Sequence, residues 1–325
     1  MHRKLTLTLA LTALALGACC CAGPRVRSAA EIGPLGHSFT MTWDGREREV
    51  VLFVPSTWEA GQHLPLVLAL HGGGSHGEGM EKFGGFNRLG EEKGFLVAYP
   101  SGVDNQWNDG RNDPISEAHA QKIDDVGFLD ALTDKLVADY GVDATRIYVT
   151  GISNGGMMTH RLACERADRY AAFAPVATNM PTDTSTTCAP TAPAPMILMN
   201  GTDDPLVPYG GGAVTVLGKE RGTVIGTDAV VAFYLERNGC AAAPTTQRTL
   251  DADPDDETSV QVSRYEDGCP DAPVHLYKVV GGGHTWPGGA QYLGKWLIGR
   301  VTRELSAEET IWAFFATNHR DPATR

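Results

Sequence analysis

Tyr148-Val149-Thr150-Gly151-Ile152-Ser153-Asn154-Gly155-Gly156 joins an apolar run to a helix-like segment through a G-x-S-x-G pattern. Such a pattern holds a serine out over the end of a sheet, on a tight strand-to-helix turn backed by the positive end of a helix. Only small residues fit around so sharp a bend, which accounts for Gly151 and Gly155. Ser153 is therefore the candidate nucleophile. A chance glycine-serine turn is the competing reading, and the neighbouring segments decide between the two.

Upstream, Leu64 to Leu70 is a continuous apolar run of the kind buried on both faces of a sheet, and it ends at His71-Gly72-Gly73-Gly74. Phe95 to Tyr99 reads as a second buried strand, closed by Pro100. Before both, Phe39–Trp43 and Glu47–Val54 read as a hairpin turning at Asp44-Gly45. Val126, Leu129, Leu132, Leu136, Val137 and Tyr140 recur at helical spacing, with Asp124 or Asp125 as the cap. Ile147 to Thr150 is the strand before Ser153, and a helix follows over roughly 154–166.

Downstream, Ala171–Ala177 and Met196–Met199 read as short strands joined by a Thr- and Pro-rich loop, Pro181 to Pro195. Thr227–Glu236 reads as a helix, Val274–Val280 as a strand, and Ala307–Phe315 as a terminal helix capped by Ser306. Strands alternating with helices predict an α/β fold, a mostly parallel central sheet with helices on both faces. No internal repeat or interior linker is visible, so a single domain over 37–320 is expected.

A serine needs a base to take its proton, and the base needs an orienting carboxylate. In α/β-hydrolases these follow the serine in the order acid, then histidine. Asn200-Gly201-Thr202-Asp203-Asp204-Pro205 offers Asp203 or Asp204 just past one strand. Gly281-Gly282-Gly283-His284 offers His284 just past another. Open α/β sheets keep their sites at that edge. The oxyanion hole needs backbone N–H groups aimed at the developing charge. Asn154 and the His71–Gly74 run, through Gly73, are the expected donors.

The chain has 325 residues and a formal charge of −12. Such acidity argues against nucleic acid and anionic lipid as partners and favours an enzyme of neutral substrates. Residues 1–18 read as an export signal, with a charged start at His2-Arg3-Lys4 and an apolar run Leu5–Leu16 too short to span a bilayer. Leu16-Gly17-Ala18-Cys19 resembles the lipobox of bacterial lipoproteins, which implies lipidation at Cys19; the alternative is plain cleavage near Ala18 or Ala22. Residues 19–36 then serve as a flexible tether. The expected destination is outside the cytoplasm: extracellular, periplasmic or lipid-anchored at the envelope. Any membrane contact is expected only through that anchor.

Cys164, Cys188, Cys240 and Cys269 lie in the folded part, an even number that suggests two disulfides with three possible connectivities. Proximity along the chain favours Cys164–Cys188 and Cys240–Cys269. None has zinc-type C-x-x-C spacing, so no metal is expected, and no cofactor is expected either. Asp251, Asp253, Asp255 and Asp256 mimic a calcium loop, but Asp256 and Val262 stand where glycine and glutamate are needed; a solvated acidic loop is the expectation.

Several pieces together resemble the secreted esterase family of polyhydroxybutyrate depolymerases and feruloyl or acetyl xylan esterases. They are Leu70-His71-Gly72-Gly73-Gly74, Tyr99-Pro100-Ser101-Gly102, Trp107-Asn108, Asp124-Asp125-Val126-Gly127-Phe128, Gly151-Ile152-Ser153-Asn154-Gly155-Gly156-Met157, Gly201-Thr202-Asp203-Asp204, Val207-Pro208-Tyr209 and Gly283-His284-Thr285-Trp286-Pro287-Gly288. They cover roughly 39–316. The resemblance implies an α/β-hydrolase with Ser153 as nucleophile, His284 as base and Asp204, rather than Asp203, as acid. It also implies pairing of Cys240 with Cys269. Asn200 departs from the family, where histidine is common, at a position that flanks the acid without doing chemistry.

The expected partner is an ester. Feruloyl, acetyl or short-chain esters compete with a polyhydroxyalkanoate as its class. A serine peptidase, or a surface lipoprotein using the scaffold only for binding, are the readings outside that class. Trp107, Tyr209 and Trp286, with Tyr292 and Trp296, are candidates for lining the substrate cleft, loop packing being the alternative. His71 is expected to shape the oxyanion loop and His160 to be structural.

Overall fold

The computed structural model describes residues 27–320. The expected signal over 1–18, the Cys19 lipidation site and the first part of the tether lie outside the described residues.

A ten-stranded sheet runs through the molecule in the order β1-β2-β4-β3-β5-β6-β7-β12-β11-β10. Its strands are β1 (His37–Trp43), β2 (Arg46–Phe53), β3 (Leu66–Leu70), β4 (Leu96–Pro100), β5 (Ile147–Ile152), β6 (Ala172–Val176), β7 (Met196–Gly201), β10 (Thr246–Leu250), β11 (Ser259–Tyr265) and β12 (Val274–Val280). A separate hairpin is formed by β8 (Gly212–Val216) and β9 (Lys219–Val224). The six central strands, from β4 to β12 in spatial order, are parallel. Antiparallel pairs close both edges.

The continuous apolar runs are explained by burial on both faces. Leu66, Leu68 and Leu70 of β3 pack with Leu129, Leu132 and Leu136 of helix Asp125–Tyr140, with Leu162 of helix Asn154–Glu165 and with Val230 of helix Thr227–Asn238. Val67 and Ala69, pointing the other way, pack with Met80 of helix Gly77–Gly84, Leu89 of helix Phe86–Lys93 and Ile311 of helix Ala307–Phe315. Alternate residues of one strand thus serve two helical layers. Each fully buried leucine or valine contributes about 1.5–3 kcal/mol.

The β1–β2 turn has Asp44 and Gly45 both at positive φ, 47° and 71°, as a two-residue type I′ hairpin requires. Asp124 caps helix Asp125–Tyr140 by accepting the Gly127 N–H at 2.9 Å. Asp125, the other cap candidate, is instead the buried partner of Arg48, 2.7 Å away.

Three expectations are corrected. Residues 27–36, assigned to a flexible tether, are docked: Arg27 pairs with Glu308 at 2.7 Å, Ser28 and Glu31 cap a helical turn, and Gly36 N–H donates to Glu81. The Pro181–Pro195 loop contains a helical segment, Thr182–Thr187. The acidic loop is not wholly solvated, because Asp256 is buried and takes N–H groups from Thr258 and Arg303. The structure bonds Cys164 to Cys188 and Cys240 to Cys269.

Candidate functional site

Ser153 follows β5 directly and precedes helix Asn154–Glu165. Its backbone is at φ 56°, ψ −121°, outside the regions a side chain prefers. Close packing enforces this bend. A Cβ on Gly155 would sit 2.4 Å from the His71 carbonyl oxygen, and one on Gly151 would sit 2.5 Å from the Gly155 carbonyl. Both glycines are needed for the helix to start against the ends of β3 and β5.

Asp204 and His284 follow β7 and β12, which pair in parallel. His284 Nδ1 lies 2.8 Å from Asp204 Oδ2, and both side chains are buried. Asp204 Oδ1 accepts the N–H groups of Leu206 and Val207, each at 2.8 Å, which fixes the carboxylate. His284 N–H donates to the Ile298 carbonyl, and the His284 carbonyl accepts the Tyr292 hydroxyl at 3.0 Å. Asp203 is exposed and, among the described residues, takes only the Thr202 hydroxyl. Ser153 and His284 line one cavity, and the Ser153 hydroxyl donates to no described residue. In unliganded hydrolases the serine–histidine contact is often open until substrate binds.

Gly73 and Asn154 line the same cavity. As the first residue of its helix, Asn154 has no intrahelical acceptor for its N–H. Its side chain is clamped: Oδ1 accepts the Trp107 N–H at 2.8 Å, while Nδ2 donates to the Trp107 carbonyl at 3.0 Å and to Asp109 Oδ2 at 2.6 Å. Asp109 is fully buried and is held further by Arg111 and His119. Burial alone would raise its pKa, but the Arg111 charge and the His119 hydrogen bond hold it below the usual carboxylate range. His71 Nδ1 donates to the Gly72 carbonyl at 2.8 Å and Nε2 accepts the Gly102 N–H at 2.9 Å. Burial pushes its pKa down to about 4, so it stays neutral and braces the Gly72–Gly73 backbone.

The cavity has a volume of about 340 Å³. Its wall is largely apolar, with Met80, Phe83, Ile152, Leu206, Val207, Val214 and Val216. Tyr292, one of the aromatic candidates, lines it; Trp107, Tyr209, Trp286 and Trp296 do not. Trp107 and Trp286 are wholly buried, and a buried indole N–H needs an acceptor. Trp107 finds the His71 carbonyl at 3.0 Å, Trp286 finds Glu308 at 3.3 Å, and both are braces behind the loops. Tyr209 bonds Asp228, and Trp296 is exposed.

Gln106, Arg111 and Arg221 line the cavity without having been singled out in the sequence. Gln106 lies in an irregular polar loop with no signal, although a Cβ on Gly73 would meet its amide at 3.0 Å. Arg221 arrives on β9, whose hairpin had a faint signature in the Val214/Val216 alternation and the Leu217-Gly218 turn. Among the described residues, no cluster of histidine, cysteine and carboxylate side chains is arranged to hold a metal. No described helix is long and apolar enough to cross a membrane.

The model of the prolyl oligopeptidase family matches residues 117–189, which contain β5, Ser153 and the helix after it. The protein named "Putative esterase NocK" from Nocardia uniformis subsp. tsuyamanensis is 34% identical over 261 residues, covering 76% of this chain and 72% of that one. Feruloyl esterase B from Piromyces equi is 27% identical over 243 residues, covering 73% and 42%. The bifunctional acetylxylan esterase/xylanase XynS20E from Neocallimastix patriciarum is 27% identical over 165 residues, covering 51% and 22%. The chain thus spans less than half the length of the last two. An acetyl xylan esterase from Aspergillus awamori overlays with a TM-score of 0.57 across 86% of this chain and 99% of that one, at 15% identity, and shares the fold. With its parallel sheet, its serine turn and these relatives, the chain belongs to the family of α/β-hydrolase esterases that includes the Nocardia protein and is an ester hydrolase.

Proposed function

We propose that Ser153 attacks an ester carbonyl, that His284 takes the serine proton, and that Asp204 orients and stabilises the histidine. The observation that carries this reading is the Asp204–His284 bond of 2.8 Å, with His284 lining the same cavity as Ser153. The oxyanion of the tetrahedral intermediate rests on the N–H groups of Asn154 and Gly73. The alcohol leaves with the proton from His284. Water, deprotonated by the same histidine, then releases the acid from the acyl-enzyme.

The substrate is a feruloyl, acetyl or other short-chain ester. A largely apolar cavity of about 340 Å³ suits one acyl group and its leaving alcohol, and relatives named as feruloyl and acetylxylan esterases support that class. A polyhydroxyalkanoate is the second class. The protein works outside the cytoplasm as one catalytic domain over 37–320, which its two disulfides support, and Cys19 carries a lipid anchor.

Hydrolysis of p-nitrophenyl butyrate tests the mechanism. Ser153→Ala abolishes turnover and labelling by a fluorophosphonate. Asp204→Asn lowers kcat by about 10⁴-fold, as loss of a triad carboxylate does elsewhere. Asp203→Asn has little effect. Parent-rate hydrolysis by Ser153→Ala would sink the proposal. Side-by-side turnover of methyl ferulate and a hydroxybutyrate oligomer separates the ester classes, and casein cleavage without ester preference would move the activity to peptides.

A further inference from the structure

We infer that Arg221 forms an anion subsite in the Ser153 cavity, one that receives a carboxylate carried by the ester substrate. This inference rests on the ester-hydrolysis reading above and narrows its substrate class.

Arg221 and Arg111 are the only arginines among the described residues lining that cavity. They are spent differently. Arg111 uses Nε and Nη2 on Asp109 and donates Nη1 to the Arg221 carbonyl at 3.1 Å. Each of its three nitrogens is already engaged by protein. Arg221 uses only Nε, which donates to Asp113 Oδ1 at 3.0 Å and Oδ2 at 2.9 Å. Its two terminal amino groups have no partner among the described residues, although its side chain is only 18% exposed.

An arginine kept merely to pin the hairpin would be expected to spend its terminal nitrogens on protein. Here the pinning is done by Nε, and Arg221 lines a cavity whose wall also includes Val214, Val216 and Leu293. Two adjacent guanidinium N–H donors match the two oxygens of a carboxylate, and a sparsely hydrated wall strengthens that match. Asp113 does not compete for the ligand. Its side chain is fully buried and its oxygens face Arg221, Arg111 and the Ile115 N–H. Because the two arginines stand against two aspartates, recognition depends on the unpartnered Arg221 donors more than on net charge.

The carboxylate can sit on either side of the ester. Two substrate pairs distinguish the sides: the monoethyl ester of adipic acid against its carboxamide counterpart, and the butyrate ester of hydroxypropionic acid against its carboxamide. For the wild-type enzyme, one acid is expected to exceed its amide in kcat/KM by about tenfold or more, chiefly through KM, which is the scale of a charged hydrogen-bonded pair. That ratio collapses towards one in Arg221→Gln and is intermediate in Arg221→Lys, which keeps the charge but loses the fork. An acid-to-amide ratio of one or less on both pairs in the wild type overturns the inference even if no variant folds. So does an unchanged ratio in Arg221→Gln. Failure of the ester-hydrolysis reading looks different: the wild type then turns over none of the four esters.

Discussion

Asn154 is bonded to the backbone of Trp107 from both ends of its side-chain amide, Oδ1 to the N–H at 2.8 Å and Nδ2 to the carbonyl at 3.0 Å. The pair copies the exchange made between two strand residues. It joins the residue after Ser153 to a loop whose indole N–H holds the His71 carbonyl. Both proposed oxyanion donors are therefore fastened to one element.

Asn154→Ala keeps the backbone N–H but releases this clamp. We expect kcat to fall about tenfold or more with KM little changed, because a donor that contributes only in the transition state loses its aim. Asp109→Asn should act in the same direction and more weakly, since it removes one of three partners of the Asn154 side chain. Steady-state kinetics on p-nitrophenyl butyrate check both. A change confined to KM would mean that the clamp shapes ground-state binding instead.

The elements legible in the sequence were those whose physics is local. A strand buried on both faces must be largely apolar, and β3, β5 and β7 read that way, while β12 reads as a strand despite His275 and Lys278. The loops after them carry Gly73, Ser153, Asp204 and His284. What stayed hidden depends on contacts far apart in the chain. Arg221 meets Asp113 across 108 positions, and the weakly patterned β8–β9 hairpin is held by Thr215 on Leu206 and Ile225 on Met180. Trp107 and Trp286 were recognisable as important, yet sequence alone does not tell a wall from a brace. Only the burial of the indole N–H and its acceptor do.

Stability should decline as the medium is acidified from neutral. Burial lowers the pKa of His71 from 6.5 to about 4 and that of His160 from 6.5 to about 3. Below 6.5 the unfolded chain takes up protons that the folded chain refuses, so acid favours unfolding until the folded values are reached. The loss is roughly 3 kcal/mol for His71 alone. Asp109 adds to it: its folded pKa is depressed, so the stability it contributes is present above 3.8 and drains away at lower pH. Thermal midpoints measured by circular dichroism between pH 7 and pH 4 should fall steeply. His160→Gln should flatten the slope, and an unchanged slope would remove that histidine from the account.

The ion pair between Arg48 and Asp125 gives the last prediction, because it couples stability to the site. The two groups meet at 2.7 Å with side chains 2% and 0% exposed. Burial outweighs their attraction and pushes both towards neutrality, Asp125 up and Arg48 down. Neither can lose the other cheaply. Asp125→Asn strands a buried guanidinium and should cost about 3–5 kcal/mol, whereas replacing both residues with apolar ones of similar volume should recover much of that. Urea midpoints at constant m-value measure the difference. Asp125 Oδ2 also accepts the Asn108 N–H at 2.7 Å, next to Trp107. Activity of the folded Asp125→Asn fraction should therefore fall as well, since the loop that aims Asn154 has lost its tie. Full specific activity in that fraction would show that the Asn154–Trp107 clamp holds the loop without help.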